Sequence, residues 1–135
     1  MRYDLKLIQA QCHEAGFQTS MPDGTCLNVE VTHGIILCFV NAEREADCLI
    51  GFEDTQWHFH DDPQYSDAHG RYVDVPYREI VPALARGELL VCERWKDGTL
   101  KERSLIHRDY NDELRFMEPG EEIRIGRSVA LGRRE

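Results

Sequence analysis

What this 135-residue chain lacks narrows its reading first. No stretch approaches the ~18 consecutive apolar residues that a membrane helix needs. The N-terminal run MRYDLKLIQAQCHEAG carries neither an apolar signal core nor a basic leader. A soluble, cytoplasmic protein is the expectation. Five cysteines, Cys12, Cys26, Cys38, Cys48 and Cys92, form no CxxC pair and are odd in number. Buried, reduced thiols are therefore expected in place of a disulfide frame or a zinc site. Phosphate-cradling GxGxxG and Walker loops are missing, and Ser66, Ser104 and Ser128 lack a nucleophile-elbow context. Cys38 and Cys48 sit in apolar segments, where burial raises a thiol's pKa and works against a nucleophile. Without repeats, low-complexity tracts or a linker, residues 1–135 read as one globular domain.

Positive charge is also scarce, and unevenly so. The chain carries 25 acids and 16 bases, a net charge of −9. Ten acids and only three bases fall between Glu43 and Glu79, so −7 of the total lies there. Such a field repels phosphate backbones and anionic membranes and speeds encounter with a cationic partner. Direct nucleic-acid binding and membrane association are disfavoured.

The elements follow from periodicity. Leu5, Ile8, Cys12 and Ala15 recur at helical spacing over Tyr3 to Ala15, and Gly16 offers a stop. Leu27, Val29 and Val31 alternate with polar residues, as on a half-buried strand. Ile35 to Val40 is continuously apolar, which predicts a central strand covered on both faces. Cys48 to Phe52 reads as a third strand and Gln56 to His60 as a further extended piece. Pro76 to Arg86 predicts a second helix, kinked or split at Pro82. Glu88 to Trp95 and Thr99 to His107 flank Lys96-Asp97-Gly98 as a hairpin. Its simplest two-residue turn would oppose Glu93 to Glu102 and Arg94 to Lys101, so a three-residue loop pairing Glu93 with Lys101 and Trp95 with Thr99 is expected. Leu114 to Met117 and Glu121 to Ile125 continue this as an antiparallel meander, and Arg127 to Glu135 reads as a frayed tail. The fold class is α+β: an N-terminal helix, one mid-chain helix and a mostly antiparallel sheet of about six strands.

Chemistry concentrates in Cys48 to Asp62, CLIGFEDTQWHFHDD. In an extended strand Trp57 and Phe59 project to one face, and His58 and His60 to the other, about 6.5 to 7 Å apart. Two imidazoles on one face can share a metal, with His69, His107 or a carboxylate completing it. A cupin barrel uses such an HxH pair, but the spacing from Gly51 is one residue long and the family's glutamate and second motif are missing. The alternative to a metal-dependent enzyme or cupin-like protein is a recognition surface. There Glu53, Asp54, Asp61, Asp62 and Asp67 steer a basic partner and Trp57 and Tyr65 anchor it. That reading needs no catalytic residue, metal or cofactor.

The length, the acidic block from Glu43 to Glu79, the GFEDTQWHFHDD segment and the YREIVPALARGELLVCERWKDGTL succession resemble small acidic immunity proteins of bacterial polymorphic-toxin and contact-dependent growth-inhibition systems. The resemblance implies a cytoplasmic protein without enzymatic activity. Its partner would be a basic toxin domain, often a nuclease, whose cleft or substrate surface it occupies.

Overall fold

The computed structural model describes residues 1–111 and 117–128. Helix α1 spans Leu5–Ala15. Asp4 caps it by accepting from the Leu7 amide at 3.2 Å, and Gly16 closes it in the left-handed conformation at φ 86°. Leu5, Ile8 and Cys12 form its buried stripe, with Ala15 half-buried.

Strands β1 (Gln18–Ser20), β2 (Cys26–Thr32), β3 (Ile35–Val40), β4 (Leu49–Phe52) and β5 (His58–Phe59) form one open antiparallel sheet in that order. With β1 and β5 as its edges this sheet is no cupin barrel. β6 (Gln64–Ser66) and β7 (Tyr72–Asp74) make a separate hairpin. A 3-10 turn at Tyr77–Glu79 leads into α2 (Ile80–Arg86). β8 (Leu89–Lys96), β9 (Thr99–His107) and β10 (Glu121–Gly126) form a three-stranded sheet. The class is α+β, with two helices and ten antiparallel strands among the described residues, more and shorter strands than the six expected. No helix among them is long and apolar enough to cross a membrane.

One face of the five-stranded sheet supplies Leu27, Val29, Val31, Leu37, Phe39, Ile50 and Phe52 to the core, where they meet Ile8 and Cys12 of α1 and Ile80, Val81 and Leu84 of α2. Burying this many aliphatic and aromatic side chains, at roughly 1.5 to 3 kcal/mol each, is the main driving force for the arrangement.

Four expectations are corrected. The mid-chain helix does split, but at Glu79, not at Pro82. Pro82 is the third residue of α2, where its missing N–H would have had no intrahelical acceptor. In the β8–β9 hairpin Lys96 pairs with Thr99 across a two-residue Asp97-Gly98 turn, both residues with positive φ. The like-charge clash is relieved further along, by a bulge that skips Lys101. Arg94 then faces Glu102, and Glu93 faces Arg103. The C-terminal half is not a simple meander, because β10 pairs with β8 and leaves β9 at an edge. The expected strand at Leu114 to Met117 falls mostly outside the described residues. Finally, Arg127 and Ser128 are docked: they donate to the carbonyls of Ala85 and Leu84 at the end of α2. The rest of the expected tail lies outside the described residues.

The fifth difference bears on function. β3 is the central strand, yet only Leu37 and Phe39 are buried, and Ile36, Cys38 and Val40 are half-buried. The run is apolar on both faces, but one face has no layer of described residues over it.

Candidate functional site

The uncovered face is built by strand alternation. Register pairing sets Cys26 opposite Val40, Asn28 opposite Cys38, and Glu30 opposite Ile36. On the other side Val40 faces Leu49, Cys38 faces Gly51, and Gly51 faces His58. Ile36, Cys38, Val40 and Leu49 form a half-buried apolar stripe that does not join the core. No strand position on this face carries Lys or Arg, from Gln18 and Ser20 on β1 to His58 on β5. The nearby charges are acidic: Glu53 acts on the thiols of Cys26 and Cys38, and Asp23 acts on Cys26. Burial, reinforced by Cys26 and Glu53, pushes the Cys38 thiol up to about 11, so it stays protonated and unreactive at neutral pH. All five cysteines are free thiols.

Gly51 is what lets the edge strand close. A Cβ there would lie 2.7 Å from the Trp57 carbonyl oxygen and 2.9 Å from the His58 Cβ. Beyond it, Leu49, Glu53, Gln56, Trp57 and His58 line an open depression of about 630 Å³.

On β5 the alternation is as the residue pattern requires. The Trp57 ring lies between Phe52 and Phe59, at 5.8 and 5.3 Å, on the core side. His58 and His60 are exposed, with ring centroids 5.0 Å apart. His69 and His107 are not brought to them: no group of three or more metal-ligating side chains occurs among the described residues. His107 is buried on β9. Its Nδ1 accepts from the amides of Asp109 and Tyr110, so Nε2 carries the hydrogen and faces Glu88 at 3.4 Å.

The acidic residues divide into two groups. Asp54 pairs with the buried Arg103, which also donates to Glu93 at 2.6 and 3.0 Å. Asp62 accepts from the Tyr77 amide at 2.7 Å and so ties the β5 exit to the start of the second helical segment. Asp67 accepts from the amides of His69 and Arg71 and from the Arg71 guanidinium, closing the β6–β7 loop. Its carboxyl sits below the usual range because these bonds outweigh the partial burial that opposes them. Those three acids have structural work. Glu53 and Asp61, by contrast, are exposed and make no ion pair among the described residues. Tyr65 is largely enclosed beside His107, at 6.1 Å between rings. Its hydroxyl is buried without a hydrogen-bond partner among the described residues.

Tyr3 anchors the site from beneath. Its hydroxyl donates to the His60 carbonyl at 3.1 Å, while its amide and carbonyl clasp the Asn41 side chain. Burial, aided by Cys48, Asp61 and Asp62, pushes the Tyr3 hydroxyl far above the ordinary range, so it remains a donor.

Residue patterning had pointed to the acids and missed the apolar stripe beside them. The available signal was that Ile35 to Val40 is apolar at every position while β2 offers it a polar, acidic neighbour face. No family model, curated protein or solved structure matches the chain.

Proposed function

We propose that this chain is a non-enzymatic binding protein, an immunity protein that neutralises a basic toxin domain in the cytoplasm. The partner sits on the uncovered sheet face and the acids beside it. One observation carries the reading: an apolar stripe with no layer of described residues over it, on a face with no cation at any strand position, whose β4–β5 side belongs to the segment Glu43 to Glu79 that holds −7 of the −9 net charge. Interfaces of this kind gain affinity from desolvating the apolar centre and on-rate from the charged rim. Free cysteines fit a reducing compartment.

The deciding experiment takes the basic proteins encoded by the genes flanking this one as candidate toxins and measures their association by surface plasmon resonance. Asp54 and Asp62 are poor probes, because reversing them breaks contacts with Arg103 and the Tyr77 amide. Glu53→Lys and Asp61→Lys alter only exposed charge, and Leu49→Arg places a cation on the stripe. The double charge reversal should slow association by roughly tenfold at low salt, and Leu49→Arg should weaken binding further. Unchanged kinetics in both variants would remove this face from the account.

A further inference from the structure

We propose that His58 and His60 form a two-imidazole site for a divalent transition-metal ion of the Zn²⁺, Ni²⁺ or Cu²⁺ class. The site is separate from the protein-binding reading and stands or falls without it.

The backbone sets the tautomer of both rings. His58 Nδ1 lies 2.8 Å from the Gln56 carbonyl oxygen, and His60 Nδ1 lies 2.9 Å from the Cys48 carbonyl oxygen. A carbonyl oxygen only accepts, so each Nδ1 carries the hydrogen and each neutral ring presents its lone pair at Nε2. Metal-ligating histidines are held in the same way, their second nitrogen tied to a carbonyl or carboxylate. Neither ring makes another hydrogen bond among the described residues, and both are exposed.

The spacing fits one shared ion. With a metal–nitrogen bond of about 2.1 Å and about 1.1 Å more to the ring centre, two imidazoles at a tetrahedral angle have centroids about 5.2 Å apart. The observed separation is 5.0 Å, with the planes at 87°. The rings are held by more than their own strand. His58 is positioned by the close approach of β5 to Gly51, and His60 by the Tyr3 hydroxyl on its carbonyl and the Cys48 carbonyl on its ring. Two protein nitrogens leave the remaining coordination positions to water. The negative segment around the pair raises the local cation concentration. Nitrogen ligation selects transition ions over Mg²⁺ and Ca²⁺, with Cu²⁺ bound most tightly.

The test titrates Zn²⁺ into the full chain without a histidine tag, followed by calorimetry and by long-range ¹H–¹⁵N spectra of the imidazoles. The metal-free spectrum should show His58 and His60 as Nδ1–H tautomers. One equivalent of Zn²⁺ should shift their Nε2 signals and leave those of His33 and His69 in place. His58→Ala and His60→Ala should each weaken binding at least tenfold, and His33→Ala should not. Mg²⁺ should leave the spectrum unchanged. Because both rings are exposed, melting curves of the metal-free variants should match the wild type and show that each is folded. Saturable binding that survives the double substitution overturns the proposal, as do unmoved His58 and His60 signals at millimolar Zn²⁺.

Discussion

Gly51 and His58 face each other across the β4–β5 pair so closely that a methyl group on Gly51 would come within 2.9 Å of the His58 Cβ. The nearer obstacle, the Trp57 carbonyl at 2.7 Å, is backbone and cannot rotate away. Gly51→Ala should therefore push β5 off the sheet edge and cost about 1 to 3 kcal/mol, the usual range for overpacking. Urea denaturation followed by tryptophan emission in a Trp95→Phe background, where Trp57 is the one emitter, measures it. A stable variant with wild-type emission would mean that β5 tolerates the shift.

Arg103 is a buried cation on β9 of the three-stranded sheet, joined to Glu93 on β8 and to Asp54 just after β4 of the five-stranded sheet. Arg103→Ala leaves the largely buried Glu93 carboxylate without its partner and should cost about 3 to 5 kcal/mol. Arg103→Met keeps most of the volume and should cost less. Asp54→Asn removes a half-exposed partner and should cost under about 1 kcal/mol. Denaturation midpoints that place Asp54→Asn level with Arg103→Ala would contradict this division.

Tyr65 carries a buried hydroxyl that no described residue satisfies. Tyr65→Phe should be neutral or stabilising by about 1 kcal/mol, since it removes an unpaid desolvation cost while keeping the ring beside His107. A lower melting temperature would reveal a partner for that hydroxyl.

Arg94 donates to Glu121 at 2.6 Å, across the β10–β8 pair, and holds that carboxyl below its ordinary 4.5; partial burial opposes the shift and Lys96 adds to it. A depressed pKa in the folded state means that the unfolded chain binds the proton first. The stabilisation is therefore complete above about pH 5 and is lost as pH falls through the lowered value. Glu121→Gln should be less stable than wild type at pH 7, and the gap should narrow by pH 3. A constant gap across that range would show that the ion pair does not couple to folding.

Local periodicity was enough for most elements. The spacing of Leu5, Ile8 and Cys12 with Asp4 before and Gly16 after makes α1, and the alternation from Leu27 to Val31 makes β2. Trp57–Phe59 and His58–His60 separate because side chains alternate on any extended strand. The turn between β8 and β9 was harder. Charge pairing correctly excluded the unbulged two-residue register, but a bulge at Lys101 satisfied the same electrostatic demand as a longer loop. Local chemistry does not choose between those two solutions.

Composition and spacing by themselves determined the class, the acidic balance, the helix positions and which residues share a strand face. These depend on neighbours within a few positions along the chain. Only the tertiary structure decided which acids are already engaged, through Arg103, the Tyr77 amide and the Arg71 loop, and so left Glu53 and Asp61 exposed. It also decided that β3, apolar on both sides, is covered by described residues on one side only. Whether a second layer meets a strand depends on how distant segments dock, and no periodicity within Ile35 to Val40 encodes that.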